Sequence, residues 1–280
     1  MKQTKRLLAL LLALALTAAL FTACGKKDAA GTGENAAPAG ADAPDLLQTI
    51  RDCGYIVVAT EGDWAPWTYH NEKNVLTGFD VELAYLIASG LGVGVKFEET
   101  AWDSILIGVD AGRFDIACNG VSYTEDRAES YTFSTPYLYT GAVIVTRSDN
   151  SSIQSMDDLK GKTTANTASS TYAQMAEEAG AAVTPVDSLA DTLNMVIDGR
   201  VDATLNARGT IETYLAEHPE APVKIVGEAP GEQMVIPMKK GAASETLRAE
   251  IDRILDELRA NGKLSALSKK YFGEDLTKAN

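Results

Sequence analysis

Residues 112–119 read GRFDIACN, and residues 199–206 read GRVDATLN. The two stretches share Gly, Arg, Asp and Asn at the same places. Each follows a segment with an apolar helical stripe: Trp102, Ile105, Leu106 and Val109 before the first, and Leu189, Leu193, Val196 and Ile197 before the second. Each then runs through small and β-branched residues that read as a buried strand. One helix–strand unit is therefore present twice, and each copy ends its strand on an asparagine, Asn119 or Asn206. Two related α/β lobes are the expected outcome.

The surroundings of each copy agree. Before the first, Tyr55 to Thr60 (YIVVAT) reads as a buried parallel strand. Gly78-Phe79-Asp80 then opens a helix, with Asp80 as N-cap and Val81, Ala84, Ile87 and Leu91 on one face. Val93 to Phe97 is a second strand. Around the second copy, Thr163–Thr167, Ala182–Val186, Val201–Leu205 and Val223–Val226 are strands, and Ser169-Ser170-Thr171 caps a helix reaching Ala179. The strand–helix alternation is that of doubly wound layers. Two strand-like runs, Leu138 to Thr146 and Gln233 to Met238, join the halves, and two crossings make a hinge with a cleft between lobes.

The chain has 280 residues and a formal net charge of -14, which argues against nucleic acid and anionic membrane surfaces as partners. Residues 1–23 form a leader. Lys2, Lys5 and Arg6 precede the apolar run Leu7–Leu20, which is short for a membrane span. Small residues directly before Cys24 resemble a bacterial lipobox, so Cys24 is expected to become a lipid-modified N-terminus. Residues 24–44 are then a disordered tether, poor in bulky apolar side chains. The only histidines are His70 and His218, and no metal or cofactor is expected. Cys53 and Cys118 are expected too far apart for a disulfide.

Beyond the first copy come Gly120, Ser122, Thr124 and Arg127. Small polar groups and one bidentate cation just past a strand end can receive a carboxylate. The same stretch also reads as an ordinary strand–turn–helix with a solvated arginine. Trp64 and Trp102, in loops after strand ends, are read as ligand walls or as core; Trp67 packs or lines. Asn119 and Asn206 are read as cleft lining or as turn formers.

GFDVELAYLIASGLGV at 78–93, Trp102-Asp103, GRFD, TEDR at 124–127, FSTPY at 133–137 and Tyr271-Phe272-Gly273 resemble the family 3 bacterial solute-binding proteins, the amino-acid receptors of ABC importers. The resemblance covers residues from about Asp45 to Leu276. It implies the type II periplasmic-binding-protein fold: two doubly wound lobes joined by two hinge strands, with residues 45–143 and 234–280 in one lobe and 144–233 in the other. It implies Arg127 on a ligand carboxylate, completed by Ser122 and the backbone near Gly120. Trp64 and Trp102 then wall the side-chain pocket, Glu61 is an acidic position at the first strand's end, and Ser170 and Thr171 contribute from the second lobe.

Ala207 stands where the family often has an aspartate for the ligand ammonium, and Arg208 follows it. Arg208 is read as favouring a second anionic group on the ligand, or as pairing with Glu212 or solvent. The expected protein is a monomeric, lipid-anchored receptor outside the cytoplasm that passes a small carboxylate-bearing solute to a permease and its ATPase. The competing reading is an enzyme on the same scaffold, dehydratase-like, with Glu61 as acid or base.

Overall fold

The computed structural model describes residues 44–279. The expected leader, the lipid-attachment site Cys24 and the tether up to residue 43 lie outside the described residues. Helix α1 (Leu46–Cys53), capped by Asp45, leads into β1 (Tyr55–Thr60). A small antiparallel sheet follows: β2 (Asp63–Trp64), β3 (Thr68–His70) and β4 (Leu76–Thr77). Next, α2 (Phe79–Leu91), β5 (Gly94–Glu99), α3 (Trp102–Asp110) and β6 (Ile116–Ala117) complete a parallel sheet in the order β5–β1–β6.

Helix α4 (Glu125–Ser130) and β7 (Tyr131–Phe133) bring the chain to β8 (Leu138–Arg147), which leaves this first half. The second half contains β9 (Thr163–Asn166), α5 (Thr171–Glu178), β10 (Ala182–Pro185), α6 (Leu189–Ile197), β11 (Ala203–Ala207), α7 (Arg208–Glu217) and β12 (Val223–Met234). Its sheet has the order β10–β9–β11–β8–β12, with β8 antiparallel to both neighbours. Strand β13 (Pro237–Lys239) then pairs with β7, and α8 (Glu245–Ala260) and α9 (Lys263–Phe272) follow. No helix among the described residues is long and apolar enough to cross a membrane.

The repeated octet does the same work twice. Asp115 Oδ2 accepts the Val57 N–H at 2.8 Å, and Asp202 Oδ2 accepts the Thr163 N–H at 2.8 Å. In each half the aspartate satisfies a backbone donor on the neighbouring strand and fixes its register. Arg113 and Arg200 both donate their N–H groups back to the preceding helix, at Gly108 and Met195.

Two local expectations are corrected. Asp80 is not the N-cap of α2: that position is Gly78, and Asp80 turns inward. There it is fully buried, and its Oδ2 accepts the Gly120 N–H at 2.5 Å and the Tyr137 hydroxyl at 3.1 Å. The second crossing is also longer than expected. It is β12, paired with β8 from Val223↔Arg147 to Met234↔Leu138, and β13 is separate. The ladder absorbs Gly227 and Pro230-Gly231 as shifts in register.

One cluster of buried side chains runs from α2 (Phe79, Leu83, Ile87) along β8 (Leu138, Ala142, Ile144) to Leu205 in the second half. Trp67 anchors its cavity end. It stacks on Trp64 with ring centroids 5.2 Å apart and meets Phe272 of α9 at 4.8 Å. The closing Tyr271-Phe272 thus packs beneath the loop that carries Trp64.

Candidate ligand-binding site

Both halves line one cavity. Glu61, Asp63, Trp64, Trp102, Gly120 and Ser122 come from strand and helix ends of the first. Asn166, Ser170, Thr171, Tyr172, Thr192 and Asn206 come from the second. Strand ends facing one another across a crevice are where open α/β sheets expose loop backbone and helix N-termini.

Trp64 forms an apolar wall. Its ring rests on Trp67, and its indole Nε1–H donates to Asn206 Oδ1 of the other half at 3.2 Å. The backbone at Gly120 passes beneath the ring. Its φ is 54°, and a Cβ there would stand 2.6 Å from the Trp64 ring, so only glycine fits.

Arg127 sits in α4, whose N-cap Thr124 accepts the Arg127 N–H at 3.1 Å. Its Nη1 donates to the Ser122 carbonyl and its Nη2 to the Ser169 carbonyl, each at 2.9 Å. The guanidinium carbon lies 5.6 Å from the Trp102 ring centroid, a cation–π contact. Arg127 therefore holds both halves at the cavity edge. Burial pulls its pKa down, and the charge of Glu232 opposes that shift. Guanidinium has five N–H donors, so donors remain beyond the two carbonyl bonds.

Two of the lining residues are acidic, Glu61 and Asp63. Burial pushes the Glu61 carboxyl up to about 7; the Asn119 hydrogen bond opposes this and the nearby Asp63 and Asp103 charges add to it. Asp63 is also raised by burial. Asn119 is fully buried behind the wall and serves Glu61 rather than the cavity. Its Nδ2 donates to Glu61 Oε2 at 2.6 Å, and its Oδ1 accepts the Glu61 N–H at 2.8 Å and the hydroxyls of Thr60 and Thr68 at 3.1 Å.

Of the residues singled out in the sequence, Gly120, Ser122, Glu61, Trp64, Trp102, Ser170, Thr171 and Asn206 meet at this cavity, and Arg127 touches its wall at Trp102. Trp67 packs and is fully buried. Arg208 follows the second of its two readings: its guanidinium pairs with Glu212 at 3.0 Å and with Glu228, and it is not among the residues lining the cavity. The helix and strand beside it supply carboxylates that outcompete the cleft. Sequence reasoning missed Asn166, Tyr172, Thr192 and Glu232. Only Asn166 had a signal, a polar residue ending a buried strand as Asn119 and Asn206 do.

The model of the bacterial extracellular solute-binding proteins, family 3, matches residues 56–274. The L-cystine-binding protein TcyA of Bacillus subtilis is 38% identical over 275 residues, 98% of this chain and 99% of that one. An ancestral arginine-binding protein bound to arginine has a TM-score of 0.73 at 35% identity, covering 79% of this chain and 99% of its own. The L-cystine solute receptor of Neisseria gonorrhoeae, unliganded and open, has a TM-score of only 0.57 at 38% identity, over 85% of this chain and 100% of its own.

Proposed function

The chain belongs to the family 3 bacterial extracellular solute-binding proteins, and on that premise we propose that it captures an amino acid outside the cytoplasm for an ABC importer. The observation that carries the reading is a cavity lined by the carboxyls of Glu61 and Asp63 with the Arg127 guanidinium against its Trp102 wall, a pairing of charges complementary to a zwitterion. In this reading Arg127 takes the α-carboxylate, helped by the Ser122 backbone and the first-turn N–H groups of α5. Trp64 and Trp102 cover the apolar stem. Glu61 and Asp63 meet a cationic or donor group at the far end. This favours amino acids with a second polar end over acidic ones. The cystine name of the Bacillus relative and the arginine bound to the ancestral protein suggest the first two probes.

The lobes in this reading are residues 45–143 with 234–280, and 144–233; closing them on the ligand is the functional step. The receptor works as a monomer, held to the membrane by lipid on Cys24 and docking on a permease and its ATPase. It performs no chemistry. A thermal-shift and calorimetric screen of L-amino acids, L-cystine and dicarboxylates tests the ligand class, since a bound ligand raises apparent stability. Retention of one unaltered ligand per chain is expected; turnover or binding of dicarboxylates alone overturns the reading. Cys24→Ala is expected to move the protein from the membrane fraction to the soluble one.

A further inference from the structure

Glu232 lies in β12 where that strand returns to the first half, opposite Thr140 of β8. Only 7% of it is exposed. Its Oε1 accepts two hydroxyls, from Ser122 at 2.5 Å and from Thr171 at 2.5 Å. Ser122 belongs to the first half and Thr171 opens α5 in the second, so one carboxylate oxygen gathers a group from each. The other oxygen, Oε2, is buried without a hydrogen bond of ordinary geometry; the Tyr172 hydroxyl neighbours the carboxylate, and burial and then the Glu232 charge push its pKa up.

A hydroxyl has one proton to give and two lone pairs, whereas a carboxylate only accepts. Ser122 and Thr171 therefore spend their protons on Glu232. Both residues line the cavity, so what they offer a ligand is oxygen lone pairs. A carboxylate directly behind them adds negative potential in a poorly solvated place, where it acts strongly.

We propose that Glu232 sets the polarity of these two hydroxyls and so makes their end of the cavity the receptor for the ligand's ammonium group. Ser122 Oγ and Thr171 Oγ1 accept the ammonium protons, and Glu232 supplies the countercharge from behind. Arg127 keeps the neighbouring carboxylate, and the Ser122 hydroxyl leaves the carboxylate-binding set that the sequence assigned it to. Glu232 is a positioning residue: it acts through Ser122 and Thr171. The assignment rests on the amino-acid reading above and narrows it to ligands with a free amine at this end.

The test compares L-cystine with dithiodipropionate, which is cystine without its amino groups, and L-arginine with guanidinovalerate, its counterpart without the α-amino group. Binding is measured by calorimetry on the full chain. The wild type is expected to prefer each amino acid over its partner by about ten-fold or more. Glu232→Gln keeps the shape, and it is expected to weaken the amino acid about ten-fold while leaving the amine-free partner unchanged. Ser122→Ala and Thr171→Val each remove one acceptor and are expected to erode the same preference, which covers the case in which Glu232→Gln does not fold. An unchanged preference in these variants overturns the assignment while leaving the receptor reading intact. A wild type that binds neither L-cystine nor L-arginine, nor any other amino acid, overturns both.

Discussion

Ser169 donates both its hydroxyl, at 2.5 Å, and its N–H, at 3.2 Å, to Oδ1 of Asp103, across 66 positions of sequence. Asp103 is in the first turn of α3 and Ser169 precedes α5, so the pair bridges the two halves. The Ser169 carbonyl also receives Arg127, which makes this residue a double clasp. The pair is exposed, so its worth is about 1 kcal/mol, or roughly five-fold in an equilibrium. Asp103→Ala is expected to speed ligand release by about that factor without lowering the melting temperature of the unliganded protein. Stopped-flow tryptophan fluorescence would read it through Trp64 and Trp102; an unchanged release rate would show the clasp to be idle.

Arg127 combines charge with a planar fork, and the two can be separated. Arg127→Lys keeps the charge but loses paired donation, so ligand affinity is expected to fall about ten-fold, whereas Arg127→Ala abolishes measurable binding. Carboxylate recognition is the specific claim. Argininamide, which lacks the carboxylate, should bind the wild type no better than L-arginine binds Arg127→Ala. If the amide and the acid bind the wild type equally, Arg127 serves only as a clasp.

Two buried carboxyls set the response to pH. Burial raises Glu61 to about 7 from 4.5, and raises Asp80 to about 7 from 3.8. A raised acid is favoured in its protonated form by the fold. Its contribution is complete below the unfolded value and disappears as pH climbs through the folded one. The melting temperature of the unliganded protein is therefore expected to fall between about pH 4 and about pH 7, and Glu61→Gln and Asp80→Asn should each flatten the curve. Affinity for a ligand with a cationic far end should move the other way, rising as Glu61 ionises. A melting curve that rises over the same interval contradicts the assignment.

The fold was legible because it is written locally. The octet GRxDxxxN lies within one helix–strand unit, and its aspartates make matching hydrogen bonds in both halves. The glycine and tryptophan positions of the site were legible too, since strand ends and loops announce them. Glu232 was not, because its meaning comes only from Ser122 and Thr171, 110 and 61 positions away. On its own strand it is one acid in a stretch already containing Glu228. Arg208 was left with two readings for the converse reason. Closeness to Asn206 in sequence says nothing about direction, and a residue opening a helix points where its nearest carboxylates are.

Gly120 offers the sharpest separation of backbone strain from packing. Its φ of 54° costs any other residue about 1–2 kcal/mol, and a methyl group there would also press the Trp64 ring at 2.6 and 2.9 Å. Trp64 cannot retreat, because Trp67 is stacked against it and Phe272 lies against Trp67. It must tilt into the cavity and give up Asn206. Gly112 provides the control: its φ is 66°, yet nothing lies within 4 Å of a Cβ at that place. Both Gly120→Ala and Gly112→Ala should lower the melting temperature through strain. Only Gly120→Ala should also weaken ligand binding, by about ten-fold, because it alone moves a wall of the site. Equal binding by the two variants would mean that the Trp64 ring yields without disturbing the cavity, and that it is core rather than wall.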